Sequence, residues 1–107
     1  MGRKKHLVQL TEFRKAVEQD ISIDKLILFG SRAWGKAHRW SDFDLVVVSP
    51  NFRRKQFRDR GLNLYNHWHL DYPVDFLCYT PEEFKKLKKQ ITLVREAVRE
   101  GIEIKSS

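Results

Sequence analysis

Three short apolar runs set the limits on this chain. Lys25-Leu26-Ile27-Leu28-Phe29 stops at Gly30, Phe43-Asp44-Leu45-Val46-Val47-Val48 stops just before Pro50, and Val74-Asp75-Phe76-Leu77 continues to Tyr79. Each has the length of a strand and is rich in branched and aromatic side chains. The first lacks the strict polar alternation of a half-solvated strand, so a strand buried on both faces is predicted over 25–29, with further strands over 43–49 and 72–79.

Between the runs the period changes. Leu7, Leu10, Phe13, Ala16 and Val17 recur at three- or four-residue steps, with Glu12, Arg14, Lys15 and Glu18 between them, which predicts an amphipathic helix. Thr80-Pro81-Glu82-Glu83 reads as a helix start: a hydroxyl to cap, a proline at the first helical position, and a carboxylate three residues on to complete a capping box. Phe84, Leu87, Ile91, Val94 and Val98 extend that stripe, predicting one helix as far as Gly101, with Ile102-Glu103-Ile104 as a last edge strand. Residues 31–36 read as a short helix start closed at Gly35 or just after it, and 36–40 as a basic loop. Residues 51–69 carry Phe52, Phe57, Leu62, Leu64, Tyr65 and Trp68 among many basic residues, predicting a helix interrupted near Gly61. Alternation of helix and strand argues for an α/β layer, with helices packed on a small sheet whose strand order the pattern leaves open.

The length, 107 residues, fits one domain over 1–107. A net charge of +7 and a pI near 9.8 suit a polyanionic partner such as a nucleotide, a nucleic acid or an acidic protein surface, and suit plain solubility equally. Cys78, alone of its kind, has no internal disulfide partner and reads as a small buried hydrophobe. No apolar stretch approaches the roughly 20 residues of a membrane span. Gly2-Arg3-Lys4-Lys5 is not followed by the apolar segment of a signal peptide, so a cytoplasmic location is expected.

Chemistry concentrates in two places. Asp42 and Asp44 lie two residues apart at the head of a strand, so their side chains share a face about 7 Å apart along the backbone. Asp75 heads another run, and would join them if its strand lies alongside. Gathered carboxylates repel one another until a cation reverses the sign, and hard Mg²⁺ takes such oxygen ligands, completed by water and phosphate. The alternative is that each aspartate caps a turn or pairs with Arg32, Lys36 or Arg39. Upstream, Gly30 ends a buried strand where a helix begins, allowing backbone N–H groups close to an anion, and Ser31 adds a hydroxyl. Elsewhere, His67-Trp68-His69 has too few ligand types at zinc spacing to be a persuasive metal site. Arg53-Arg54-Lys55 with Arg58 and Arg60 could meet a polyanion or form a solvated face.

Gly30-Ser31, ten residues from Arg32 to Ser41, then Asp42-Phe43-Asp44 resembles the G-S-x10-D-x-D signature of the DNA polymerase β-like nucleotidyltransferases, with Asp75 as the third carboxylate. Within that superfamily the chain is similar over most of its length to the minimal nucleotidyltransferase (MNT) domain proteins that pair with HEPN-domain partners. The resemblance implies a small mixed sheet with helices packed on it, the polymerase β-like fold. It implies that Asp42 and Asp44 ligate two Mg²⁺ ions and Asp75 one of them. Gly30 and Ser31 would hold the β- and γ-phosphates of ATP, with Arg32 adding charge. Trp34 departs from the pattern, standing where a basic residue is common in relatives. The function implied is transfer of AMP from ATP to a hydroxyl, a tyrosine, of a HEPN ribonuclease toxin, acting as its antitoxin, and a homo- or hetero-oligomer is compatible with it. The alternatives are a non-catalytic antitoxin that works by contact, or a nucleotidyltransferase acting on a small molecule or an RNA end.

Overall fold

The computed structural model describes the backbone of residues 2–34 and 41–106, and the side-chain surroundings of 4–33 and 41–106. Its elements run α1 (Gly2–Val17), β1 (Lys25–Phe29), α2 (Ser31–Trp34), β2 (Phe43–Val48), α3 (Leu62–Tyr65), β3 (Val74–Tyr79), α4 (Pro81–Leu87), α5 (Leu93–Glu100) and β4 (Ile102–Glu103). The four strands form one mixed sheet in the order β3-β2-β1-β4. β2 is antiparallel to β1 and parallel to β3, and β4 closes the far edge antiparallel to β1. The three predicted strands and the last edge strand are therefore all present. The predicted closure near Gly35 and the basic loop over 36–40 fall outside the described residues.

Both sheet faces are covered at β1 and β2, while β3 at the edge is only partly buried. On one face Leu10, Phe13 and Val17 of α1 pack against Leu26, Leu28, Leu45 and Val47. On the other, Phe84, Val94 and Ala97 of α4 and α5 pack against Ile27, Phe29, Val46 and Val48. Burying each side chain of this size removes apolar surface worth about 1.5–3 kcal/mol, so this three-layer arrangement is the main source of stability. Cys78 is buried within the first cluster, and burial pushes its thiol up to about 12, so it behaves as the small hydrophobe expected. Arg14, itself buried, donates to the carbonyls of Ile23 and Ile104 at 2.8 and 2.9 Å, fastening the segment before β1 and the residue after β4 beside α1. No helix among the described residues is long and apolar enough to cross a membrane.

Two helices predicted from periodicity are absent as such. Residues 51–69 hold two 3₁₀ turns, Pro50–Phe52 and Phe57–Asp59, and then the single turn of α3. Their apolar residues do not share a stripe: Phe52 and Leu64 are buried, whereas Phe57, Leu62 and Tyr65 are exposed. Arg54, at φ 70°, breaks the helical backbone between the first two turns. The helix predicted over 80–101 is likewise two helices, α4 and α5. Thr92 starts the second, accepting from the Arg95 N–H while its hydroxyl donates to the Leu87 carbonyl. Ile91, counted in the stripe, lies at this junction and is 94% exposed.

The capping box at Thr80 forms as predicted: its hydroxyl accepts from the Glu83 N–H, and the Glu83 carboxylate accepts from the Thr80 N–H. Arg60 also donates to Glu83 at 2.6 Å and to the Cys78 carbonyl, tying the irregular stretch to the outer strand. Thr80→Ala is expected to lower the unfolding free energy by about 1 kcal/mol, read as a shifted urea midpoint at unchanged slope.

Candidate active site

Gly30 leaves β1 with φ 77°, a left-handed conformation that glycine adopts without strain. A side chain there would also collide: a β-carbon would sit 2.7 Å from Oδ2 of Asp44. The backbone thus turns into α2 directly against a carboxylate, with Ser31 next to it and half-buried. The contact arises because Phe29, the residue before Gly30, is paired with Asp44 across the sheet.

The same row continues outward. Asp44 is paired with Asp75 on the parallel neighbour β3, so the two side chains leave adjacent strands, about 4.8 Å apart, on the same face. Sequence could state this only as a condition, and the register meets it. Asp42, just before β2, shares the parity of Asp44. That face is the one α4 and α5 cover through Val46 and Val48. At the acidic end cover is lost: Asp44 is half-buried and Asp42 and Asp75 are exposed.

Electrostatics bear the mark of this gathering. The Asp44 carboxyl is raised above its ordinary value, first by burial, then by the negative charges of Asp75 and Asp42. No ion pair joins any of the three to arginine or lysine among the described residues, and two of the alternative partners, Lys36 and Arg39, fall outside those residues. Nor do any three acidic, histidine or cysteine side chains among the described residues close around a point that could hold an ion by themselves. An all-oxygen donor set, open to solvent and short of a full shell, fits a hard cation that keeps water and borrows phosphate oxygens.

Arg32, which the resemblance places beside the phosphates, is occupied elsewhere. It is buried, and both its Nε and Nη2 donate to the carbonyl of Ser41, at 3.0 and 2.7 Å. The rings of Phe43 and Tyr72 lie against its guanidinium. No signal in the sequence pointed to Tyr72. The expectation for Trp34 concerns a side chain outside the described set.

The weaker candidates have structural occupations. His67 Nε2 lies 2.5 Å from Asp20 Oδ2, and the Trp68 indole donates to the Tyr72 carbonyl at 2.8 Å. From the basic run, Arg53 pairs with Glu82 and Arg60 with Glu83, while Arg54, Lys55 and Arg58 are exposed.

Comparison with known proteins gives three kinds of likeness. The profile of the nucleotidyltransferase domain family matches residues 10–99, a span that holds Gly30, Ser31 and all three aspartates. A Haemophilus influenzae relative, named "Probable protein adenylyltransferase MntA", is 31% identical over 77 residues, 70% of this chain and 68% of its own length. A Sulfolobus solfataricus structure assigned as a nucleotidyltransferase superposes with a TM-score of 0.67 at 19% identity, over 94% of this chain and 80% of the other. A toxin–antitoxin structure with AMP-PNP superposes with a TM-score of 0.56 at 21% identity, over 91% and 73%. At such identities the two structures speak to the fold alone.

Proposed function

We propose that this chain, which belongs to the nucleotidyltransferase domain family, transfers AMP from ATP, with Mg²⁺, to a hydroxyl on a partner polypeptide. The observation that carries this reading is the row Phe29–Asp44–Asp75, which sets two carboxylates side by side where Gly30 turns. The name of the Haemophilus influenzae relative supports a protein acceptor. The resemblance to the MNT proteins names the acceptor of this proposal, a tyrosine of a HEPN ribonuclease toxin silenced by the added AMP. The site of action is the cytoplasm.

In this reaction the acceptor oxygen forms a bond to the α-phosphorus, the bond from that phosphorus to the bridging oxygen breaks, and pyrophosphate leaves. Asp42, Asp44 and Asp75 would hold two Mg²⁺ ions, which when bound supply charge to the attacking and leaving oxygens. Gly30 leaves room for the triphosphate to lie on the backbone, and Ser31 offers it a hydroxyl. Asp75 is exposed on an edge strand, where an incoming acceptor can reach it. Its free oxygen can take the hydroxyl proton.

The test is incubation of the purified chain with a co-encoded HEPN protein, ATP and Mg²⁺, followed by intact mass. Addition of one or more AMP units to the partner, lost on omitting Mg²⁺, is the expected result. An unmodified partner that is nonetheless neutralised would replace this reading with one of inhibition by contact. AMP appearing on RNA ends instead would move the acceptor to nucleic acid.

A further inference from the structure

Arg32 is 9% exposed, and no aspartate or glutamate among the described residues pairs with it. A buried guanidinium is costly unless its donors and its faces are satisfied. Here Nε and Nη2 converge on one acceptor, the Ser41 carbonyl. The guanidinium carbon sits 4.6 Å from the centre of the Phe43 ring and 4.4 Å from that of Tyr72. His6, from α1, stands edge-on to both rings at 5.2 and 5.3 Å.

The residues so held are the two chain neighbours of Asp42. Arg32 takes the carbonyl of the residue before it and stacks on the ring of the residue after it. Arg32 itself follows Ser31 in the turn of α2. One side chain therefore bridges the glycine–serine turn to the backbone on either side of the first carboxylate. We propose that Arg32 is a positioning residue that fixes Asp42 relative to the Gly30-Ser31 turn, and is not a phosphate ligand. It follows that Arg32 adds nothing to the triphosphate directly and acts on nucleotide binding through the cation that Asp42 would hold. What the positioned carboxylate does rests on the nucleotidyl-transfer reading; the clamp does not.

The two are separated by measuring AMP-PNP binding by calorimetry, with and without Mg²⁺, for wild type, Arg32→Gln, Arg32→Lys and Tyr72→Leu. Metal-free affinity is expected to be unchanged by Arg32→Gln. The gain on adding Mg²⁺ should shrink by about 10–100-fold, the usual loss when a partner behind a metal ligand is removed. Arg32→Lys should fare no better than glutamine, because an ammonium cannot present the flat fork. Tyr72→Leu should shift binding in the same direction by a smaller factor. A drop in metal-free affinity that lysine restores would make Arg32 a phosphate ligand and overturn the proposal.

Amide exchange gives a readout that needs no nucleotide. Arg32→Gln should accelerate exchange at residues 42–44 while β1 stays protected, and unchanged exchange there would overturn the clamp. A wild type that binds no AMP-PNP under either condition would sink the transfer reading, leaving the clamp to this exchange measurement. If Arg32→Gln unfolds the whole sheet, Tyr72→Leu, which retains the two hydrogen bonds, decides by the same readout.

Discussion

Asp44→Asn is expected to abolish nucleotidyl transfer while leaving the metal-free protein at least as stable as wild type. The substitution keeps the shape of the side chain and removes the charge at the centre of the acidic row. Loss of a metal ligand should cost more than the about 10–100-fold that follows loss of a residue behind one. Stability moves the other way because burial, and then Asp75 and Asp42, disfavour the ionised carboxylate in the fold. For an acid whose folded value is raised, ionisation destabilises the fold above that value. The penalty disappears as pH falls below the ordinary value of about 4. Thermal melts without added metal should therefore favour Asp44→Asn at neutral pH, and the difference should close on acidification. Transfer activity surviving in the variant would remove Asp44 from the site, and a variant clearly less stable at neutral pH would refute the electrostatic account.

How much of this was legible in the sequence depends on how local each feature is. The capping box at Thr80 lies within four residues and uses only backbone and side-chain chemistry, and it forms as read. The two central strands were legible because burial on both sheet faces leaves predominantly apolar runs. Periodicity failed where apolar residues serve different neighbours, as Phe52 and Leu64 do inside and Phe57 and Leu62 do outside. It failed again at Thr92, where a second cap splits a stripe whose spacing alone would continue. Of the site, the spacing from Gly30 to Asp44 was visible, but the alignment of Asp44 with Asp75 is a register between strands thirty residues apart, which no local pattern encodes. The surroundings of Arg32 were illegible for a related reason. The resemblance implies a place beside the phosphates, whereas the rings that lie against Arg32 come from residues brought in by the sheet and by the segment before β3.

Gly30→Ala is the second large effect, because two independent penalties fall on one methyl group. At φ 77° a β-carbon costs about 1–2 kcal/mol against the following carbonyl. The same β-carbon would lie 2.7 Å from Asp44 Oδ2, nearer than real contacts allow, so the carboxylate or the turn must move. Pairing with Phe29 and Asp75 holds the backbone of Asp44, so the part that yields is the end of its side chain, and the carboxylate swings away from the turn. The melting temperature should fall by about 4–8 °C for each kcal/mol lost, and transfer should fall with the displacement of Asp44. A double-mutant cycle with Asp44→Ala distinguishes the two penalties. In that background the collision is gone, and Gly30→Ala should cost only the backbone term. A cost equal in both backgrounds would mean that the turn needs glycine for its dihedral angle alone, and that the closeness of Gly30 to the carboxylate plays no part in holding the site.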